Sequence, residues 1–278
     1  MSAQRSSSRG GCLPLVLGAV LLWLWFNGDS NEWRDTPLNV EQFDPRSPRR
    51  PMPNIGESFV IAEPGPQQDS QGTAFAVDRD GSWLTAQHVT NQCDRLGLVF
   101  DDGIDAVVDV VESAEADVSV IRQGPPAQFA LALAQDTPEV GSLGYHMGFP
   151  AGEPAVVVSS FIGATYAVRG GPGGPGEPIF AWAEGDRLPS GDGPLSGISG
   201  GPTFDQRGRV IGVNAASTPR RGRVLTTDPK AITRLVVASA AVDEAGEVAD
   251  LSTPAKAAAL FRVLLDTGVI RQVYCDVR

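Results

Sequence analysis

Gly197-Ile198-Ser199-Gly200-Gly201-Pro202 is the stretch around which the chain is organised. A serine hydroxyl attacks a carbonyl only when a base takes its proton and something receives the charge that develops on the oxygen. Glycines on both sides let the backbone turn sharply, so that successive N–H groups can face one point. Ser199 is therefore a candidate nucleophile, and the N–H groups of Gly197 and Ser199 a candidate oxyanion hole. Downstream, Thr203-Phe204 leads into the turn signal Asp205-Gln206-Arg207-Gly208 and then the β-rich run Val210-Ile211-Gly212-Val213. A serine loop feeding a hairpin is a more restrictive pattern than a glycine-rich turn with an incidental serine.

An activated serine needs a base, and the chain has two histidines, His88 and His146. His88 ends a strand-like run and begins a loop, where a rigid element meets open space. His146 sits in Gly144-Tyr145-His146-Met147-Gly148-Phe149-Pro150, flanked by apolar residues. The base in turn needs a buried carboxylate to hold its tautomer and stabilise its cation. Asp117 fits best, because it immediately precedes the apolar run Val118-Ser119-Val120-Ile121, whereas Glu112 and Glu115 read as solvated charges.

The surrounding texture is that of an all-β protein. From Gly72, short strand-like runs alternate with tight turns: Thr73 to Val77, Asp78-Arg79-Asp80-Gly81, Ser82 to Ala86, Leu96 to Phe100, Ala106 to Val111, Val118 to Ile121 and Val156 to Ser159. No long helical period occurs between residues 72 and 215, and the spacing predicts a barrel or sandwich. Residues 168–195, rich in Gly, Pro and charge, read as a long surface loop with one strand at Ile179-Phe180-Ala181-Trp182. Near the carboxy terminus, Thr253-Pro254 resembles a helix start, and Ala257, Ala258, Leu260, Phe261, Val263, Leu264 and Leu265 form a helical apolar stretch that stops near Gly268.

Arg5 and Arg9 precede an apolar run from Cys12 to Phe26, followed by the polar Asn27-Gly28-Asp29-Ser30. This is the layout of a secretory signal or a signal anchor. Small-x-small frames are spoiled by Phe26, Asn27 and Asp29, which favours an uncleaved anchor with the amino terminus in the cytoplasm. The expected organisation is an anchor or signal at 1–30, a Pro-rich tether at 31–69, a β domain at 70–235 and a helical extension at 236–278. The tether carries Pro37, Pro45, Pro48, Pro51, Pro53, Pro64 and Pro66, with Phe59-Val60-Ile61 as one strand that joins the domain. A net charge of -11 leaves no basic footprint for nucleic acid. Two histidines and three cysteines at scattered spacing offer no ligand cluster, so neither a metal nor a cofactor is expected.

Thr85-Ala86-Gln87-His88-Val89, Asp117-Val118-Ser119-Val120 and Gly197-Ile198-Ser199-Gly200-Gly201-Pro202 together resemble the three active-site blocks of trypsin-like serine proteases, in that family's His, Asp, Ser order. Gly148-Phe149-Pro150 and the hairpin from Arg207 to Asn214 are similar to the bacterial HtrA/Deg-type branch, over roughly residues 70 to 235. The resemblance implies a double β-barrel with the active site in the cleft between the barrels. It implies a serine endopeptidase with His88 as general base, Asp117 as orienting carboxylate, Ser199 as nucleophile and the Gly197 and Ser199 N–H groups as oxyanion hole. An envelope role in protein quality control or regulated proteolysis follows from the same likeness, with a protein or peptide as substrate. Two departures stand out. Ile198 takes the place where the family has Asp or Asn, and residues 236–278 are too few for a carboxy-terminal PDZ module.

By position relative to Ser199, the pocket floor is expected at Gly193-Pro194-Leu195, with Asn214-Ala215-Ala216 along one wall. No acidic residue falls where Lys or Arg would be selected, Asp192 being displaced, so a small or apolar side chain is preferred. Gly197-Ile198-Ser199-Gly200-Gly201 also matches the nucleophile elbow Gly-x-Ser-x-Gly, but that motif needs a helix after it and a later histidine, and neither follows Ser199. The rival from another class is a membrane-tethered, catalytically silent binding module with a distorted oxyanion loop.

Cys12 lies in the apolar leader, which leaves Cys93 and Cys275 as an even pair in the exported part. An oxidising compartment permits a bridge between them, the alternative being two free buried thiols. The charge layout of the leader makes a topological prediction. In spheroplasts, added protease should reach the β domain while a tag at residue 1 stays protected, and digestion of the tag would contradict that orientation.

Overall fold

Turn chemistry sets the strand boundaries. A computed structural model of the chain describes residues 59–61, 69–100, 103–107, 109–169, 176–218, 222–241 and 249–278. The apolar leader and most of the tether lie outside the described residues; among those that are described, no helix is long and apolar enough to cross a membrane. In the first hairpin, strands β2 (Ser70–Ala76) and β3 (Trp83–Thr85) are joined by a turn in which the Asp78 carboxylate accepts from the N–H groups of Asp80 and Ser82, at 3.0 and 2.7 Å. The turn at 205–208 uses the same device, the Asp205 carboxylate accepting from the N–H groups of Arg207 and Arg209 at 2.9 Å each. Asx turns of this kind let a short aspartate stand in for missing backbone partners.

Two sheets result. One contains β2, β3, β4 (Arg95–Phe100), β5 (Gly103–Val107), β6 (Asp109–Glu112), β7 (Ser119–Arg122) and β14 (Ile270–Asp276), in the order β5-β4-β14-β2-β3-β7-β6. Its outermost strands, β5 and β6, are consecutive in the chain, and the sheet forms a half-barrel. Phe75, Leu84, Leu98, Val120 and Val273 fill it, all fully buried. The other sheet comprises β8 (Leu143–Gly148), β9 (Ala155–Arg169), β10 (Gly176–Leu188), β11 (Pro202–Phe204), β12 (Val210–Thr218) and β13 (Arg223–Thr227). It runs β9-β10-β13-β12-β11-β8, and pairing of β8 with β9 closes it into a six-stranded barrel. Its core includes Val157, Phe161, Phe180, Trp182, Ile211 and Val224. The short strand β1 (Phe59–Ile61), expected at that place, lies parallel to the end of β9, Phe59 opposite Ala167.

Residues 168–195 are not one long loop. Strand β10 spans 13 residues of that stretch and pairs with β9 from Gly176 to Leu188. Its polar positions have the composition of a loop. Glu184 and Arg187 of this strand pair with each other through Arg187 Nε at 2.5 Å, which satisfies charges that otherwise signal a loop. A short helix, α2 (Pro229–Ala238), follows β13 with Asp228 as N-cap, its side chain accepting from the Lys230 N–H at 2.7 Å. The expected carboxy-terminal helix is present as α3 (Pro254–Asp266), capped by the Thr253 hydroxyl and started by Pro254. Its apolar face packs on β8 and β9 of one sheet and β14 of the other, with Phe261 against Phe149 at 6.4 Å between ring centroids.

Residues 236–278 do not end as a helical extension. After α3 the chain returns as β14, inserted between β2 and β4, with Val273 opposite both Gly72 and Leu98. A disulfide joins Cys275 of this strand to Cys93, with the Cα atoms 5.4 Å apart and a sequence separation of 182. Closing so long a loop restricts the unfolded chain by at most about 5 kcal/mol on the chain-entropy model. Cys275→Ser is thus expected to lower the unfolding free energy by roughly 2–5 kcal/mol, read as a shift in urea midpoint that reductant reproduces in the wild-type protein. A variant as stable as the oxidised wild type would show that the bridge does not constrain the chain.

Candidate active site

The end of β3 and the start of β7 are neighbours, Thr85 facing Ser119 across an antiparallel pair. Residues just beyond Thr85 and just before Ser119 therefore emerge at the same end of the sheet. His88 lies on α1 (Gln87–Thr90), the single helical turn that follows β3, and Asp117 stands two residues before Ser119. His88 Nδ1 and Asp117 Oδ2 are 2.7 Å apart, and the His88 backbone N–H donates to Asp117 Oδ1 at 2.9 Å. Both carboxylate oxygens thus grip one residue. A carboxylate at Nδ1 places the proton there and leaves Nε2 as the basic nitrogen. The Asp117 side chain is 2% exposed, whereas that of His88 is 31% exposed and reaches solvent. The Thr227 hydroxyl, at the end of β13 in the other sheet, donates to the Asp117 carbonyl at 3.1 Å.

The serine loop is held by its carbonyl groups. Ser196 O accepts from Ala151 N–H at 2.6 Å, Ile198 O from Gly201 N–H at 3.0 Å and Ser199 O from Thr73 N–H at 2.7 Å. Gly197 O accepts from the Thr73 hydroxyl at 2.8 Å. In a planar trans peptide the N–H points opposite to the preceding carbonyl. The N–H groups of Gly197 and Ser199 consequently turn away from the Ala151 and Gly201 amides that hold those carbonyls. Gly197 has φ of +100°, in the left-handed region that glycine tolerates. A side chain on Gly200 would strike Thr73 O at 2.2 Å and Ala86 N at 2.8 Å, so the residue after Ser199 lies against the backbone that enters α1 and carries His88. Ile198 is 4% exposed and belongs to the second barrel's core with Leu195 and Trp182. Apolar burial therefore anchors the loop at the place where the resemblance expects Asp or Asn.

The expected pocket residues divide. Gly193, Pro194 and Leu195 line a cavity of about 440 Å³. Asn214 does not join them. Its side chain is 1% exposed and turned into the barrel, where Oδ1 meets His146 Nδ1 and the Thr203 hydroxyl, each at 2.8 Å. Ala216 packs beside the cluster of Ile162, Ala181 and Leu225, and the cavity wall is made by Ser217 instead. An irregularity in the β12–β13 pairing between Asn214 and Ala216 shifts which residues face out. Glu184, Asp186, Arg187, Asp192 and Arg223 also line the cavity, which gives it a charged wall. Nothing in residue order along the chain signals β10 as a contributor; its pairing with β13 brings it there. Among the described residues, no group of three or more His, Cys, Asp or Glu side chains is placed to hold a metal ion.

The second histidine also touches a serine, His146 Nε2 lying 2.6 Å from Ser159 Oγ. Both are sealed off, His146 at 0% and Ser159 at 1% exposure, so no substrate reaches that pair. Burial pushes the His146 imidazole down from 6.5 to about 4, against a smaller upward pull from its hydrogen bond to Asn214. In that window the unfolded chain binds a proton that the fold refuses. The stabilisation by the neutral ring is complete above pH 6.5 and is lost as pH falls towards 4. Between pH 7 and pH 4 the wild-type protein should lose roughly 3 kcal/mol more unfolding free energy than His146→Leu, which does not titrate there. Urea titrations across that range check this, and parallel curves for the two proteins would overturn it.

The comparisons agree with the geometry. The description "Trypsin-like peptidase domain" matches residues 72–213, half of the chain. A protein of Brucella suis named a probable periplasmic serine endoprotease DegP-like is 29% identical over 184 residues, which cover 65% of this chain and 32% of that one. A protein of the same name from Hahella chejuensis is 30% identical over 169 residues, covering 57% of this chain and 32% of its own length. The chain therefore spans about a third of the length of these relatives. The Rv3671c protease from M. tuberculosis, in its active form, shares the fold with a TM-score of 0.50 at 17% identity, covering 70% of this chain and 92% of that one. The chain belongs to the trypsin-like peptidase family, and the relatives it matches are DegP-like.

Proposed function

We propose that the chain is a serine endopeptidase that cleaves peptide bonds through an acyl-enzyme intermediate. The observation that carries this reading is the His88–Asp117 pair, in which one buried carboxylate holds both Nδ1 and the backbone N–H of a solvent-reaching histidine. His88 Nε2 takes the Ser199 hydroxyl proton as the oxygen attacks the substrate carbonyl. The ring becomes a cation, and Asp117 stabilises it without itself taking the proton. Charge on the tetrahedral oxygen is received by the N–H groups of Gly197 and Ser199. His88 then passes the proton to the leaving amine, and water repeats the sequence on the acyl-enzyme. The substrate is a protein or peptide whose side chain enters the cavity beside Gly193, Pro194 and Leu195.

The placement proposed is the cell envelope, with the domain outside the cytoplasmic membrane and residues 12–26 as anchor. Supporting it are the basic residues before the leader, the Cys93–Cys275 bridge, which persists in an oxidising compartment, and the word periplasmic in the relatives' names. Protein quality control or regulated proteolysis in that compartment is the role this suits.

A fluorophosphonate probe should label Ser199 in the wild-type protein. Ser199→Ala should fold with an unchanged urea midpoint and lose labelling, and peptide turnover should fall by about 10⁴ or more. Labelling that persists in Ser199→Ala, or a wild-type protein that never labels, would sink the assignment.

A further inference from the structure

A histidine is an unusual side chain for the sealed centre of a β-barrel. An unpaired polar group there costs more than the apolar residue that would fill the same space. His146, on β8, is kept by partners on three other strands of the barrel. Ser159 Oγ of β9 lies 2.6 Å from Nε2; Thr203 Oγ1 of β11 and Asn214 Oδ1 of β12 each lie 2.8 Å from Nδ1. The Trp182 ring of β10 stands edge-on to the imidazole at 5.4 Å. None of these facing groups carries a charge.

The orientation of the set follows from donor counting. Asn214 Nδ2 points to the Met147 carbonyl at 3.5 Å, which turns Oδ1, an acceptor, towards the ring. Nδ1 therefore carries the proton, and the bare Nε2 accepts from the Ser159 hydroxyl. The set reaches the serine loop through the backbone of Asn214. Its carbonyl accepts from the Gly200 N–H at 2.7 Å, and its N–H donates to the Gly201 carbonyl at 2.9 Å. Gly201 also leaves no room for a side chain above the Met147 carbonyl, which an added carbon would meet at 2.1 Å. The two residues that follow Ser199 thus rest on the strand positions that His146 orders.

We infer that His146 is a positioning residue for the serine loop, acting through Asn214 and Thr203 on the Gly200–Gly201 backbone, with Ser159 locking its tautomer. This inference rests on the reading of Ser199 as nucleophile. His146 touches neither substrate nor Ser199, and it contributes by holding the loop in the geometry where the N–H groups face the reacting oxygen. Loss of the lock lowers the rate of acylation and leaves binding of the probe nearly unchanged.

Two variants of the full chain test this, Ser159→Ala and His146→Leu, with two readouts each. The first is the fluorophosphonate reaction, resolved into its maximal rate and its half-saturating concentration. The second is amide hydrogen exchange at Gly200 and Gly201, measured beside amides of β10 as an internal reference. Ser159→Ala removes one hydroxyl and retains the ring, so its fold is the less perturbed. In it the maximal labelling rate should fall by about threefold or more, with the half-saturating concentration within about twofold. Exchange at Gly200 and Gly201 should quicken by about tenfold while β10 stays unchanged, and Ser159→Thr, which keeps the hydroxyl, should restore both. His146→Leu should show the same pattern more strongly. Wild-type labelling rates and wild-type exchange at Gly200 in Ser159→Ala overturn the positioning role. A wild-type protein that never labels, together with quickened exchange at Gly200 in the variants, overturns the nucleophile assignment and supports the coupling of His146 to the loop.

Discussion

Thr73 is the residue on which the two halves of the site meet. It lies in β2 of the first sheet, fully buried, yet its N–H donates to Ser199 O at 2.7 Å and its hydroxyl to Gly197 O at 2.8 Å. Its own carbonyl accepts from the Thr85 hydroxyl at 2.8 Å, at the end of the strand that leads to His88. The Phe149 N–H donates to the Thr73 hydroxyl at 3.3 Å, which ties in the loop after β8. One side chain and the two peptides that flank it therefore hold the serine loop, the histidine strand and the second barrel at a common point. A buried hydroxyl with donor and acceptor roles both filled is stable where it is, and leaving any of its partners unmatched is costly.

The carboxy terminus bears on the same constraint. Strand β14 pairs with β2 through Gln272 opposite Thr73, so the last residues of the chain form one wall of the strand that carries Thr73. Helix α3 spans from the second barrel to that strand, and the Cys93–Cys275 bridge ties it to the loop five residues beyond His88. Both candidate catalytic halves thus depend on a segment remote from them in sequence.

The two histidines show how environment separates chemically identical groups. His88 reaches solvent and faces a carboxylate, an arrangement that tolerates a transient cation. His146 is sealed among uncharged partners, and burial holds it neutral down to about pH 4. Each lies close to a serine or a serine loop, so proximity alone does not distinguish them. Access and a counter-charge do.

Local pattern alone determined much of this protein. Apolar runs between Gly and Asp turns marked most strands from β2 to β12, Thr253-Pro254 marked the start of α3, and the His88, Asp117 and Ser199 blocks were visible because a strained glycine loop and strand-end residues leave short-range signatures. Three features had no such signature. Strand β10 was legible only over Ile179 to Trp182; its flanks looked like loop because their charges are satisfied only by partners that folding supplies, as in the Glu184–Arg187 pair. Strand β14 is a short run whose strand character comes from β2 and β4 on either side, and pairing across so much sequence is invisible to any local window. The inward turn of Asn214 and the sealing of His146 were likewise decided in three dimensions, because which face of a strand is core depends on the register of its neighbours. Sequence determined which residues could do chemistry, and tertiary packing decided which of them meet water and which are held to position the rest.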